Sequence, residues 1–116
     1  MSHAELTDGP VISPDKLARA LRTTKKEIGD TIGVPNGSLS RRARIEAPST
    51  QTSLRHLVEI LHAIRPVVGN LVMAFAWCRS EAIVGFGGRT PEQIVKDGEF
   101  DALRAHIQRR LAGGYA

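Results

Sequence analysis

Cysteine is nearly missing from this chain: Cys78 is the single thiol in 116 residues. One thiol closes no intrachain disulfide and cannot supply a multi-thiolate zinc site, so an intracellular protein is expected. Aromatic residues are also scarce, at 4%. The core must then be built from Leu, Ile, Val and Ala, a mix that suits helices better than a sandwich or barrel. Long apolar runs are lacking too. The longest candidate, Val67 to Cys78, is interrupted by Gly69 and Asn70 and runs into Arg79, so no membrane span is expected. The first twelve residues carry Glu5 and Asp8 but no Lys or Arg; they do not read as a signal peptide, and a cytoplasmic location is expected.

Catalytic signatures are missing as well. No Gly-x-Ser-x-Gly element occurs. His56 and His62 stand six apart, roughly 600° of helical rotation at ~100° per residue, so they do not form a two-ligand clip. Gly85-Phe86-Gly87-Gly88-Arg89-Thr90 precedes a helix but lacks the phosphate-loop lysine and a preceding strand, which favours a plain turn. A non-enzymatic protein without cofactor or metal is expected.

What the chain does contain is an uneven positive charge. The net charge is +4. Ten Lys/Arg face five Asp/Glu between Ser13 and Arg65, against six and five from Pro66 onward. A basic first half fits a polyanion partner.

Helical periodicity runs through most of the sequence. Residues 1–12, with Gly9 and Pro10, read as a loose arm. Ser13-Pro14 looks like an N-cap with Pro in the first turn, and Leu17, Ala18 and Leu21 share one face of a helix over about 14–22. Thr24-Lys25-Lys26-Glu27 is a capping-box pattern opening a helix with Ile28 and Ile32, stopped by Gly33. A third helix is expected over Ser38 to Arg44, and Pro48-Ser49-Thr50 is expected to break the chain. Leu54, Leu57, Val58, Leu61 and Ile64 form the clearest amphipathic stripe. Pro66 should interrupt it. Val67 to Arg79 reads as a further helix, either core or interface. Thr90-Pro91-Glu92-Gln93 is a second capping box, and Phe100, Leu103, Ile107 and Leu111 mark the last helix, ended by Gly113-Gly114.

Segment 24–41 has the layout of a helix-turn-helix. Gly33 allows the turn, Gly29 takes a small-residue position where two helices approach, and the second helix would enter the major groove by its N-terminal end. Asn36, Ser38, Ser40 and Arg41 would meet base edges or phosphates, and Lys25, Lys26, Arg42 and Arg44 phosphates. A helical hairpin without DNA contact is the alternative. Arg42 stands three after Leu39, where such domains usually bury an apolar side chain. At the other end, Gly113, Gly114, Tyr115 and Ala116 are either a frayed terminus or a plug offered to a partner's pocket.

The run Thr24 to Arg41 resembles an Xre-type helix-turn-helix. Ala76-Trp77-Cys78-Arg79-Ser80-Glu81-Ala82-Ile83, then Gly85 to Pro91, Ile94-Val95, Gly98 and the terminal Gly113-Gly114-Tyr115-Ala116 resemble the toxin-binding domain of the Xre/MbcA/ParS antitoxin family. The resemblance covers about residues 14–116. It implies an antitoxin of a type II toxin-antitoxin system whose partner is a RES-domain toxin that consumes NAD⁺ or transfers ADP-ribose. The C-terminal tail would obstruct the toxin's NAD⁺ pocket, with Arg89 also in the toxin-binding set, and the helix-turn-helix would bind operator DNA and repress the shared promoter.

The resulting expectation is an all-α protein with a flexible arm at 1–13, a DNA-binding domain at 14–65 and a helical toxin-binding domain at 66–116. A homodimer, and a hetero-oligomer with toxin, are the expected assemblies. The alternatives are a stand-alone helix-turn-helix repressor and an interaction protein without DNA binding.

Overall fold

The computed structural model describes residues 3–35 and 37–113. The fold is all-α. Among the described residues, seven α-helices follow a short hairpin: β1 (Thr7–Asp8), β2 (Val11–Ile12), α1 (Pro14–Leu21), α2 (Lys25–Ile32), α3 (Arg42–Ile45), α4 (Pro48–Val68), α5 (Leu71–Ser80), α6 (Pro91–Lys96) and α7 (Phe100–Gly113). Two 3₁₀ turns, His3–Leu6 and Ser38–Ser40, complete the order. No single helix among the described residues is long and apolar enough to cross a membrane. The chain divides into two compact units, Met1–Val58 and Glu59–Ala116, and the division falls within α4.

The opening segment departs from the expected loose arm. Thr7 pairs with Ile12 and Asp8 with Val11 in an antiparallel hairpin turned at Gly9, whose φ of +60° suits the first central position of a II′ turn. Leu6 and Ile12 are buried. Two apolar side chains flanking a Gly-Pro turn are enough to seat the hairpin on a core, and the polar letters around them hid it. The Ser13 amide donates to the Leu6 carbonyl at 2.8 Å, and the Ser13 hydroxyl then caps α1 by accepting from the Lys16 amide. Leu17, Leu21, Ile28, Leu39 and Leu54 fill out the core of the first unit.

Three helix boundaries also differ from expectation, each for a reason of proline or glycine chemistry. Pro48 does not break the chain; it occupies the first turn of α4, where a missing N–H costs nothing. Pro66 does not interrupt α4 either. It lies in the last turn, and the helix continues to Val68 before the Gly69 amide closes on the Arg65 carbonyl at 2.8 Å. The break falls instead at Gly69-Asn70. Gly69 has φ +110°, and the Asn70 side chain accepts from the Met73 amide at 2.8 Å to start α5.

In the second unit, Leu61, Ile64, Leu71, Ala74, Ile83, Ile94, Leu103 and Ile107 are buried. Thr90 and Gln93 form the complete capping box of α6, at 3.2 and 3.0 Å. Leu111 is only half-buried, so the buried edge of α7 ends one turn earlier than its periodicity suggests.

Candidate functional site

The first site is built on α2 and the segment after it. The Thr24 hydroxyl accepts from the Glu27 amide at 3.1 Å, and the Glu27 carboxylate turns to the Thr23 hydroxyl. Gly33, at φ +79°, ends the helix with its amide on the Gly29 carbonyl at 2.9 Å, and the Val34 amide shares that carbonyl at 3.0 Å. The chain then returns so closely that a Cβ on Gly29 would meet Val34 Cγ2 at 3.4 Å and Leu39 Cδ1 at 3.7 Å. Buried Leu39 is the anchor that holds the returning segment to α2.

The second element is not the single helix expected over 38–44. Ser38–Ser40 form a 3₁₀ turn, Arg41 takes an extended conformation (φ −109°, ψ 121°), and α3 begins at Arg42. The reason is a shortage of anchors: Leu39 is the one buried side chain in the stretch, two serines compete for local backbone bonds, and no side chain caps either piece. Arg42, three after Leu39, is exposed, and Ile45 is half-buried.

The cations of this region divide into held and unheld. Lys25 pairs with Asp15 at 3.2 Å, and exposed Arg42 pairs with Glu46 at 3.2 Å. Lys26, Arg41 and Arg44 are exposed and form no ion pair among the described residues. Ser40 is exposed, Ser38 half-buried, and Asn36 lies outside the described residues. Beside α3 runs an open cleft lined in part by Asp8, Asp15, Arg42 and Glu46. Its carboxylates make it unsuited to a polyanion. Within it, the hydrogen bond from Lys16 holds the Asp8 carboxyl below the usual carboxylate range.

The second expected site centres on Arg89 and the C-terminus. Arg89 Nε donates to the Phe86 carbonyl at 2.9 Å, and Nη1 meets Asp97 at 2.9 Å and Glu99 at 2.5 Å. Its guanidinium also lies 5.9 Å from the Phe86 ring centroid. Those carboxylates, Glu99 first, hold the guanidinium pKa above its ordinary value. The Ile83 amide donates to the Arg89 carbonyl at 3.0 Å, so the glycine-rich stretch is a closed loop tied to the α6–α7 turn. Arg89 is thus engaged within its own unit. Gly113 ends α7, and Gly114, Tyr115 and Ala116 lie outside the described residues.

Two ties carry no sequence motif. The buried Gln51 amide accepts from the Ile12 N–H at 2.8 Å and donates to the carbonyls of Ile12 at 3.1 Å and Ile45 at 2.8 Å. The available signal was that Gln51 stands three before Leu54 and seven before Val58, on the apolar face of α4. Arg104 makes a two-pronged pair with Glu59, at 2.5 and 3.2 Å, across 45 residues of sequence. Cys78 is buried, and desolvation pushes its thiol up to about 12; it packs as a small apolar side chain.

No family model, no curated protein and no solved structure matches this chain.

Proposed function

We propose that the chain is a cytoplasmic, non-enzymatic antitoxin: a basic head that holds operator DNA and a C-terminal module that binds a RES-domain toxin and blocks its NAD⁺ pocket with the tail Gly113–Ala116. The observation that carries the DNA half is the group of exposed, unneutralised cations, Lys26 on α2 and Arg41 and Arg44 on the segment held to it by the Gly29–Leu39 approach. Unpaired guanidinium groups on a rigid support release phosphate counterions on binding. The toxin half is supported by the resemblance of 76–116 to the antitoxin family's toxin-binding domain and by a second compact unit that contains it.

Two experiments test the halves separately. Fluorescence anisotropy with a duplex from the chain's own promoter, across a salt series, should show Arg41→Ala with Arg44→Ala flattening the salt slope by about 0.9 for each phosphate no longer neutralised. Arg104→Ala, which removes a cation already paired with Glu59, should leave the slope unchanged. Undetectable duplex binding by the parent chain at low salt overturns the DNA half. For the toxin half, deleting Gly113–Ala116 should restore NAD⁺ consumption by the toxin encoded beside this chain; full retained inhibition overturns the plug.

A second reading, an interaction protein without DNA binding, is favoured by one specific observation: the extended backbone at Arg41 leaves no continuous helix over 38–44 to enter a major groove. The duplex titration decides between the two.

A further inference from the structure

The turn between α1 and α2 is closed in a way that favours glycine, yet it carries an arginine. Arg22 has φ 54° and ψ 45°, the left-handed region, and it is the sole non-glycine residue there among the described residues. Every other described residue with positive φ is a glycine, Gly33 at the end of α2 among them. The Arg22 amide donates to the Arg19 carbonyl at 3.2 Å, and the Thr23 amide donates to the Ala18 carbonyl at 2.9 Å. Backbone groups alone therefore end α1, in the pattern that glycine serves best. A Cβ at this position crowds the following carbonyl oxygen, and glycine has none.

No contact inside the chain offsets that cost. Arg22 is exposed and forms no ion pair among the described residues. Nearby carboxylates are engaged elsewhere: Asp15 pairs with Lys25 at 3.2 Å, and Glu27 turns to the Thr23 hydroxyl. The negative end of α1 favours a cation, but Arg19 in its last turn already supplies one, and the positive end of α2 begins three residues after Arg22. A backbone cost without an internal return points to a partner outside the chain. The surroundings indicate an anion. Four residues on, exposed Lys26 is also unpaired, and α2 leads from there to Gly29, where the segment bearing Arg41 and Arg44 packs. We propose that Arg22 contacts a backbone phosphate of the bound duplex, which extends the DNA surface to the α1–α2 turn. The inference rests on the DNA half of the function proposed above. A guanidinium meets two phosphate oxygens at once, and such a contact positions the protein without reading sequence.

Fluorescence anisotropy of the full chain tests it, with the promoter duplex and with a scrambled duplex across a salt series, alongside thermal melting. Arg22→Gln should flatten the salt slope by about 0.9 and weaken binding about eightfold at 0.1 M salt. The loss should be equal on the two duplexes, because a phosphate contact carries no sequence information. Arg22→Lys, which keeps the charge, should keep the slope. Arg22→Gly should flatten it as Arg22→Gln does without lowering the melting temperature, since glycine adopts this φ freely. An unchanged slope for Arg22→Gln, where Arg41→Ala with Arg44→Ala does flatten it, overturns this inference and leaves the DNA reading standing. A parent chain that binds neither duplex overturns both. A slope flattened by Arg22→Lys as much as by Arg22→Gln overturns it by showing that shape, not charge, is at work. A melting temperature lowered by Arg22→Gly overturns it as well, because the side chain then serves its own fold.

Discussion

The arginines of the two candidate sites differ in how they are held. In the first, Arg41 and Arg44 stand exposed without an ion pair among the described residues. In the second, Arg79, Arg89 and Arg104 each engage carboxylates of their own unit. The units also differ in what closes them. The first is joined by a buried side-chain amide on backbone groups, at Gln51, and the second by guanidinium pairs at its surface around an aliphatic core. Counting cations in the sequence therefore locates positive charge but not positive potential. An arginine already facing two carboxylates offers little field to a polyanion, while an unpaired one on a rigid turn offers all of it. The buried amide is also the stronger fastening, because removing it strands backbone groups away from water, whereas a surface pair is replaced by hydration.

The sharpest way to break this contrast is at Gln51. Gln51→Leu leaves the Ile12 N–H and the carbonyls of Ile12 and Ile45 without their partner, and should cost about 3 kcal/mol, measured by urea denaturation. A destabilisation no larger than that of a surface substitution would mean the first unit is closed by something else. A smaller effect belongs to Cys78 in the core of the second unit. Its thiol stays protonated to about 12 when folded, against an ordinary value of 9.0. The folded state therefore binds the proton more tightly, and its contribution to stability is intact below about pH 9 and falls as pH rises toward 12. Between pH 9 and 10 the Cys78→Ala variant should lose up to about 1.4 kcal/mol less than the parent chain, read from denaturation curves at the two pH values.

Smaller again is Gly29→Ala. The added methyl would rest at ordinary van der Waals distance from Val34 and Leu39, and helix propensity should stabilise the first unit by about 0.5–1 kcal/mol. Gly29→Val, with branches that must enter the same gap, should destabilise it; thermal melting separates the two. The least effect on global stability is expected from Arg89→Gln. It should instead raise hydrogen exchange at the Ile83 and Arg89 amides, which close the glycine loop, while exchange in the first unit stays as it was.

Much of the helical skeleton was legible in the letters. The stripe Leu54 to Ile64, the Thr90–Gln93 box and the stop at Gly33 depend on neighbours within one or two turns, and all of them are present in the fold. The places where structure and periodicity part involve competition between local signals and distant partners. The hairpin at residues 7–12 depends on Leu6 and Ile12 finding a core. Pro66 stays helical because only its own local bond is forfeited. The helix over 38–44 breaks at Arg41 because one anchor, Leu39, cannot hold a stretch whose other side chains are exposed or, at Ser38, half-buried. Of the candidate site, the cations near α3 were visible as letters, but which of them stay unpaired was not: Asp15 and Glu46 take Lys25 and Arg42 and leave Arg41 and Arg44.

By itself the sequence determined an aliphatic, helical chain, the caps that start and stop most of its helices, and a first half richer in positive charge. Each of these follows from interactions that a residue makes with its near neighbours or with water. Only the tertiary structure decided that Gln51 fastens a hairpin thirty-nine residues away and that Arg104 closes on Glu59. Those outcomes depend on which distant groups arrive within hydrogen-bonding or packing distance once the chain has collapsed, and periodicity along the chain holds no record of that.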